Sequence, residues 1–274
     1  MKNILNDIFK KNKNIIIGAI HFPPLFGYKD FPGIDVALKN ALHDLKAFEE
    51  GGVDGIIIEN NYDVPHKIIV DKKTAEMMAH LGKEIKKVAN FPIGVSVLWN
   101  DYKSALSIAK RIEAQFIRIP VFVDRVKTNY GEVLGMPEDV LKYRKKINAE
   151  GVAIFTDIHV KHAELLEKKA IETSATEAIK SGSDALIITG KWTGQAPILD
   201  DLIAVKNTAK DFPILIGSGI DKKNIKKLFK YVDGAIVSTS LKEGKVTVGG
   251  VNIKSWKQRI DKNKVQDLVQ ILNL

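Results

Sequence analysis

Residues 212–242 read FPILIGSGIDKKNIKKLFKYVDGAIVSTSLK, and this segment is the most informative about the fold. It contains two short apolar runs, 214–216 and 234–237, which are separated by an amphipathic stretch and each followed by small residues. Glycine and free backbone N–H groups at the start of a helix favour a bound anion. Two such turns on neighbouring strands are typical of the phosphate site after the last two strands of a (β/α)8 barrel. The predicted phosphate-binding residues are Gly217, Ser218, Gly219, Ser238, Thr239 and Ser240.

The rest of the chain alternates between strand-like and helix-like segments. Apolar residues at helical spacing alternate with short apolar runs that are typical of buried strands. Besides the two runs above, the predicted strands are 14–20, 54–59, 92–98, 115–120, 151–159 and 184–188. The predicted helices are 33–50, 72–89, 101–112, 137–149, 171–181, 198–210 and 253–272. Eight strand–helix units predict one α/β domain over residues 1–274, a (β/α)8 TIM barrel with a short N-terminal extension at 1–13.

The composition excludes some kinds of chemistry. The chain of 274 residues has no cysteine, which rules out disulfides, thiolate catalysis and cysteine zinc sites. Its net charge is +9, but the lysines are scattered along the predicted helices, so we predict a solvated surface and no nucleic-acid partner. The sequence shows neither an apolar run of the roughly 18 residues of a membrane span nor a signal-peptide core, so we expect a cytoplasmic protein.

Polar or ionisable residues follow nearly every predicted strand. Active sites of such barrels lie at the carboxyl ends of the strands. Because burying an unpaired charge costs several kcal/mol, we expect these side chains to share one polar pocket. The predicted catalytic residues are His21, Glu59, Asp157, His159 and Lys161. The predicted substrate contacts are Asn60, Asn100, Arg118, Thr189 and Trp192.

The fifth predicted strand is the most informative. Asp157, His159 and Lys161 alternate with Ile158 and Val160, and a period of two places the three ionisable residues on one face. Side chains that perturb one another's pKa in this way suit acid–base chemistry, and the lysine also suits a Schiff base with a carbonyl substrate. The alternative is a buried ion-pair network that stabilises the barrel mouth.

Several residues have a second interpretation. Arg118 suits a substrate anion but also an ion pair with Glu59 or Asp157, and Trp192 either stacks on a ligand ring or covers the rim. Loop 121–135 is a candidate lid, because long loops are often functional. No cofactor is predicted, although a divalent metal is left open as an alternative. Its ligands would be His21, Glu59, Asp157 and His159, whose spacing matches no metal signature.

Several motifs together resemble the BtpA/SgcQ family over residues 15 to about 244. They are GAIHFPPLFG (18–27), GGVDGIIIEN (51–60), VLWND (97–101), FIRI (116–119), TDIHVKHA (156–163), ITGKWTG (188–194), IGSGI (216–220) and DGAIVSTSLK (233–242). The resemblance implies a (β/α)8 barrel with a phosphate-binding end. The family takes one name from a factor for photosystem I biogenesis, and other members look like enzymes of sugar or nucleotide metabolism. This chain departs from the family pattern at Pro120, where an asparagine is usual, and at Ser238, where a glycine is usual.

Two functions remain open from the sequence. The first is an enzyme acting on a phosphorylated small molecule, a phosphosugar or nucleotide, by an isomerase, epimerase, lyase or hydrolase reaction. The second is a non-catalytic assembly or stability factor that keeps the barrel as a scaffold. The polar strand ends favour the enzyme. Barrels of this kind often form homo-oligomers, but no segment of the sequence marks an interface.

Overall fold

Eight parallel strands close into a barrel at the centre of the structure, a computed structural model that describes residues 3–245 and 252–273. The described strands are β1 (Ile15–His21), β2 (Gly55–Glu59), β3 (Ile93–Ser96), β4 (Phe116–Ile119), β5 (Arg125–Thr128), β6 (Gly131–Leu134), β7 (Ala153–Ile158), β8 (Ala163–Leu165), β9 (Ala185–Ile188), β10 (Ile214–Ile216) and β11 (Gly234–Val237). The order around the barrel is β1-β11-β10-β9-β7-β4-β3-β2. The predicted (β/α)8 TIM barrel is therefore confirmed.

Helices follow the barrel strands and cover the outer face of the barrel. Those in the described part of the chain are α1 (Ile4–Phe9), α2 (Ile34–Gly51), α3 (Lys72–Val88), α4 (Tyr102–Arg111), α5 (Pro137–Lys146), α6 (Ile171–Lys180), α7 (Leu199–Ala209), α8 (Ile225–Leu228) and α9 (Lys262–Asn273). In α2 the residues at helical spacing, Ala37, Ala41, Leu45 and Phe48, are all buried. A left-handed glycine, Gly52, ends that helix and donates to the Phe48 and Glu49 carbonyls.

A separate apolar cluster fills the N-terminal end of the barrel interior. Phe116 and Phe155 stack there with ring centroids 4.6 Å apart, and a Cβ at Gly94 would lie only 2.2 Å from the Phe116 ring. Leu5 and Phe9 of α1 belong to the same cluster. Helix α1 of the predicted N-terminal extension therefore closes this end of the barrel, opposite the C-terminal end where the site is predicted.

The aspartates at the helix-to-strand turns have a structural role. Each carboxylate accepts a hydrogen bond from the backbone N–H of the neighbouring strand. The donors to Asp54, Asp184 and Asp233 are Ile16, Ile154 and Ile214, at 2.7, 2.8 and 3.0 Å respectively. These bonds tie adjacent strands together at their N-terminal ends, opposite the predicted site.

A small antiparallel sheet, in the order β6-β5-β8, extends from the barrel. It corrects the prediction of an irregular lid over residues 121–135, because most of that segment forms the β5–β6 hairpin. Thr128 Oγ1 donates to the Gly131 carbonyl at 2.8 Å and fixes the turn. Val126 and Val133 pack in a cluster with Trp99 and Val160 at the barrel mouth. The lid candidate is thus an ordered wall with a hairpin tip.

The final helix is shorter than predicted. The sequence pattern predicts a helix over 253–272, but α9 begins only at Lys262. Upstream of it, Ile260 forms a β-bridge with Lys242, and Asp44 accepts hydrogen bonds at 3.0 Å from Arg259 Nη1 and from the Ile260 N–H. Asp261 then accepts a hydrogen bond from the Asn263 N–H at 2.9 Å. A cap of this kind starts a helix, so residues 252–261 pack against the barrel mouth instead.

Candidate functional site

A buried network of charged side chains forms the top layer of the barrel interior. Arg118 donates through Nε and Nη2 to the two oxygens of Asp157, both at 2.8 Å. Its Nη1 donates to Glu59 Oε1 at 3.2 Å. The other Glu59 oxygen lies 3.3 Å from Nε2 of His21, which is the strand neighbour of Glu59. The sequence thus predicted an ion-pair network as one alternative, and four of the candidates form it.

The network fixes the charge of Glu59. Burial by itself raises the pKa of this carboxyl, but the hydrogen bond from His21 and the charge of Arg118 outweigh burial and lower the pKa to about 2. Burial also lowers the pKa of His21, against the opposing effect of Glu59. At neutral pH the pair therefore consists of a carboxylate and a neutral imidazole that donates to it. Glu59 can accept a proton transiently or orient a ligand, but it carries none to donate.

Lys161 lines the same cavity as the charged network but takes no part in its ion pairs. Within residues 3–245 and 252–273 its ammonium forms no salt bridge, although its backbone N–H donates to Thr189 Oγ1 at 2.9 Å. Burial, reinforced by the charge of Arg118, lowers the pKa of Lys161 to about 8. A lysine with a pKa near neutrality suits proton transfer or nucleophilic attack.

Two lobes of one open cleft meet at Lys161. The first lobe has a volume of about 290 Å³ and lies over the C-terminal ends of β10, β11 and β1. The second has a volume of about 350 Å³ and lies on the side of β3, β4 and the small sheet. Glu59, Arg118 and Lys161 line both lobes. The polar strand ends therefore do converge on an open cavity, the arrangement that favours a binding site over a closed internal network.

All six predicted phosphate-binding residues line the first lobe. Their backbone N–H groups are its main free donors: within the described residues, those of Ser218, Gly219, Ser238 and Thr239 donate to no protein acceptor. Ser238 Oγ is likewise buried without a partner in that part of the chain. Rows of unused donors of this type form a nest for an anion.

Three of the six predicted phosphate-binding residues also have structural roles that the sequence pattern did not indicate. Ser218 Oγ donates to the Gln195 carbonyl at 2.9 Å, and Ser240 Oγ donates to the Ile220 carbonyl at 2.7 Å, so both hydroxyls hold loops together. Gly219 has a φ of +74°, and a Cβ there would lie 2.0 Å from the Ala196 nitrogen. Neighbouring backbone, rather than an anion, is thus what requires this glycine.

Three lysines that the sequence analysis missed also line the first lobe: Lys242, Lys254 and Lys264. Lys242 is almost fully buried, donates to the Tyr62 hydroxyl at 2.9 Å, and has its pKa lowered to about 8 by burial. Lys264 donates to the Lys242 carbonyl at 2.7 Å. Lys242 directly follows the serine–threonine turn, which was the available signal. Lys254 and Lys264 lie in the segment 253–272 that was predicted to be entirely helical, so the sequence did not indicate that they line this cavity.

Five aromatic and imidazole side chains line the second lobe together with apolar residues such as Leu98 and Val160; the five are Trp99, Tyr130, Trp192, His66 and His162. Of these, only Trp192 was among the predicted substrate contacts. His162 is fixed by a 2.8 Å contact between its Nε2 and Thr193 Oγ1, which joins the loop after β7 to the loop after β9. Tyr130 comes from the tip of the β5–β6 hairpin. Neither residue carries a sequence signal of its own, since both depend on how separate loops meet.

His159 does not share a face with Asp157 and Lys161, which corrects the prediction from alternation. Strand β7 ends at Ile158, and His159 has a left-handed φ of +49°. His159 accordingly lines neither lobe but a third cavity with Asp201 and Ala196, which Lys161 also borders. Asp157 also lines neither lobe, since it is almost fully buried and both of its oxygens bind Arg118.

Three of the predicted substrate contacts bind neighbouring backbone groups through their side chains. Asn60 accepts a hydrogen bond from the Leu98 N–H at 2.7 Å and donates to the Leu98 carbonyl at 3.1 Å. Asn100 makes the same pair of bonds with Val121, at 2.9 and 3.0 Å. Thr189 holds the backbone of Lys161. Their hydrogen bonds position the loops, because buried backbone N–H and C=O groups at a loop end need partners.

The metal alternative does not fit the side chains present. The four side chains do not surround one point, because His159 lines a different cavity and the guanidinium of Arg118 lies between the carboxylates of Glu59 and Asp157. A fixed cation in that place repels a second one. Across residues 3–245 and 252–273, no group of three or more His, Asp or Glu side chains has the arrangement of a metal site.

Comparison with known proteins gives the same fold and a family. None of the described helices has both the length and the apolarity to span a membrane. Among solved structures, the chain is similar to (S)-3-O-geranylgeranylglyceryl phosphate synthase from Thermoplasma acidophilum, with a TM-score of 0.60, 15% identity and coverage of 99% of this chain and 98% of that one. It is also similar to N-(5'-phosphoribosyl)anthranilate isomerase from Pyrococcus furiosus, with a TM-score of 0.58, 13% identity and coverage of 95% and 100%. At these identities the likeness shows the fold alone.

The sequence relatives are much more similar. The chain is 35% identical over 245 residues to an uncharacterised protein of Pyrococcus horikoshii, which covers 89% of this chain and 93% of that one. It is 36% identical over 241 residues to the photosystem I biogenesis protein BtpA of Synechocystis, which covers 86% and 84%. The model of the BtpA family matches residues 12–273. The chain therefore belongs to the BtpA family.

Proposed function

We propose that this protein is an enzyme that acts on a phosphorylated small molecule. The phosphate is held in the first lobe by the backbone N–H groups of the two turns, while the neighbouring lysines balance its charge. One observation carries the proposal: Lys161, which has a depressed pKa, lies at the point where the anion lobe opens into a second lobe. A group held by its phosphate in the first lobe thus presents its next atoms to Lys161.

The side chains divide into distinct roles under this proposal. Lys161 is the proton-transfer group, because an acid or base works best when its pKa is near the working pH. Glu59 and neutral His21 orient the reacting hydroxyl or carbonyl. Arg118 and Asp157 hold Glu59 in place. The set favours an isomerase, epimerase or lyase reaction, because each of these reactions needs a positioned proton-transfer group, which is the role of Lys161.

The binding half of the proposal is tested by thermal unfolding with inorganic phosphate, phosphosugars and the same sugars without phosphate. A ligand at a hundred times its Kd adds about 2.7 kcal/mol of stability, which corresponds to a rise of about 5–10 °C. Thr239→Asp places a negative charge in the first lobe and should abolish the rise. Thr173→Asp is the matched control, because Thr173 is exposed in the first turn of α6. Equal shifts with and without phosphate on the sugar would refute the phosphate lobe.

A second candidate is an assembly factor, which is favoured by the similarity to the photosystem I biogenesis protein of Synechocystis. The two candidates differ in what they require of Lys161. Turnover of any phosphorylated compound that is lost in Lys161→Met supports the enzyme. A factor needs no free amine at that position, so full function of Lys161→Met in an assembly assay would support the scaffold.

A further inference from the structure

The second lobe differs in chemistry from the first. The first lobe is lined by hydroxyls, glycines and lysines, whereas the second lobe adds aromatic rings beyond the shared residues Glu59, Arg118 and Lys161. Its volume of about 350 Å³ falls in the range of about 300–1,000 Å³ that is usual for small-molecule sites. A ligand held by its phosphate therefore meets a different kind of surface at its other end.

The aromatic side chains are paired across separate loops. His66 meets Tyr130 edge to face with centroids 5.3 Å apart, and His162 lies 5.3 Å from the Trp192 ring. Trp192 is 48% exposed, unlike Trp99, which is 6% exposed. A large, half-exposed indole at the rim of a cavity offers a face on which a flat ligand can stack.

The second lobe's own side chains carry no charge at neutral pH. Burial lowers the pKa of His66 to about 4, and burial together with the charge of Lys161 lowers the pKa of His162 to about 4. Each imidazole is then neutral, with one donor and one acceptor nitrogen. Asn129 adds a side-chain amide to the lining. Such a lobe recognises an uncharged group that both donates and accepts hydrogen bonds.

These features distinguish the classes of group that the lobe accepts. An aliphatic chain prefers a lining without hydrogen-bonding groups, because unpaired imidazoles and amides lose free energy when an apolar group covers them. A second phosphate prefers a free lysine or arginine, but the two in this lobe, Arg118 and Lys161, lie at its junction with the first lobe, and Arg118 is already bound to Asp157 and Glu59. A planar ring with hydrogen-bonding edges uses both the aromatic faces and the polar edges.

We propose that the second lobe binds an uncharged, planar heteroaromatic ring carried by the same phosphorylated ligand, so that the substrate is of the nucleotide type. This inference rests on the proposed function, since it needs the phosphate in the first lobe. Lys161 then lies beside the group that links the ring to the phosphate. The separation of the two lobes selects ligands in which the ring and the phosphate are a matching distance apart.

The test is calorimetric titration of the full chain with ribose 5-phosphate, with the four common nucleoside 5'-monophosphates, with a prenyl monophosphate and with inorganic phosphate. Stacking of a base on aromatic side chains predicts that at least one nucleotide binds about 5- to 150-fold more tightly than ribose 5-phosphate. Trp192→Ala should remove most of that advantage, with a much smaller effect on ribose 5-phosphate. Trp256→Ala is the matched control, because Trp256 lines neither lobe.

The outcomes separate the ring subsite from the proposed function. If ribose 5-phosphate binds as tightly as every nucleotide, or the prenyl phosphate binds most tightly, the ring subsite is overturned while the phosphate lobe stands. If Trp192→Ala and Trp256→Ala weaken the nucleotide equally, the assignment of the subsite is wrong. If none of the phosphorylated compounds nor inorganic phosphate binds, the proposed function itself fails.

Discussion

Arg118 and Asp157 form a two-pronged ion pair across β4 and β7, with both nitrogen–oxygen distances at 2.8 Å. The pair is buried, and Arg118 uses its remaining terminal nitrogen on Glu59. Burying two charges costs free energy that only good geometry recovers, so the pair contributes more to positioning than to net stability. Its consequence for the site is that Glu59 is held ionised, with one oxygen toward His21.

Removing the charge of Asp157 should destabilise the fold strongly. Asp157→Asn leaves the Arg118 guanidinium buried beside a neutral amide that offers one acceptor oxygen in place of two. Breaking a buried ion pair in this way costs about 3–5 kcal/mol. For a chain of this size the melting temperature should fall by roughly 6–20 °C. Thermal unfolding followed by circular dichroism measures the change. Asp211→Asn, at an exposed position, should shift it by less than about 2 °C. Similar small shifts for both variants would contradict the structural role given to Asp157.

The pKa of Lys161 should be visible in the pH dependence of stability. The folded-state pKa is lowered from 10.5 to about 8, so between these values the unfolded chain holds a proton that the folded protein lacks. The free energy of unfolding contributed by Lys161 therefore rises as the pH increases from about 8 to 10.5. Urea unfolding across this window should show wild type gaining stability relative to Lys161→Met.

Lys242 has the same lowered pKa, but it is present in both proteins and cancels in this comparison. Lys230→Met, at an exposed lysine, is the control and should run parallel to wild type throughout the window. A difference between wild type and Lys161→Met that stays constant with pH would show that the amine is not held in a desolvated position.

Gly219 should be intolerant of a side chain. Gly219→Ala combines a left-handed φ of +74° with a Cβ placed 2.0 Å from the Ala196 nitrogen, so the loop between β9 and α7 must move. We expect a loss of about 2 kcal/mol or more, together with weaker phosphate binding in the thermal assay. Gly151→Ala is the control, because no atom lies within 4 Å of a Cβ there. Equal stability of the two variants would contradict the close approach of the loops.

The fold was predictable because its signals are local. Apolar runs such as Ile56–Ile58 and helical spacing such as Ala37, Ala41 and Leu45 reflect which residues face the core within one element, so each element can be identified without the others. The errors fell where a contact elsewhere in the fold competes with local pattern. Asp44 holds Arg259 and Ile260 outside a helix, and cross-strand pairing turns the long loop into a hairpin.

The candidate site was predictable only in part. Local pattern and the rules of parallel connection are enough to identify the polar residues that end the barrel strands. The structure brings His21, Glu59, Arg118 and the serine–threonine turn to one cavity, as that pattern predicts. Which of the strand-end side chains face an open cavity depends on tertiary contacts. The left-handed backbone of His159 turns this residue away from the cleft, and Arg118 binds the carboxylate of Asp157. Lys254 and Tyr130 line the cleft from segments that are far apart in the chain. The accessibility of a side chain in the cleft depends on the distances between loops, and no local sequence pattern encodes those distances.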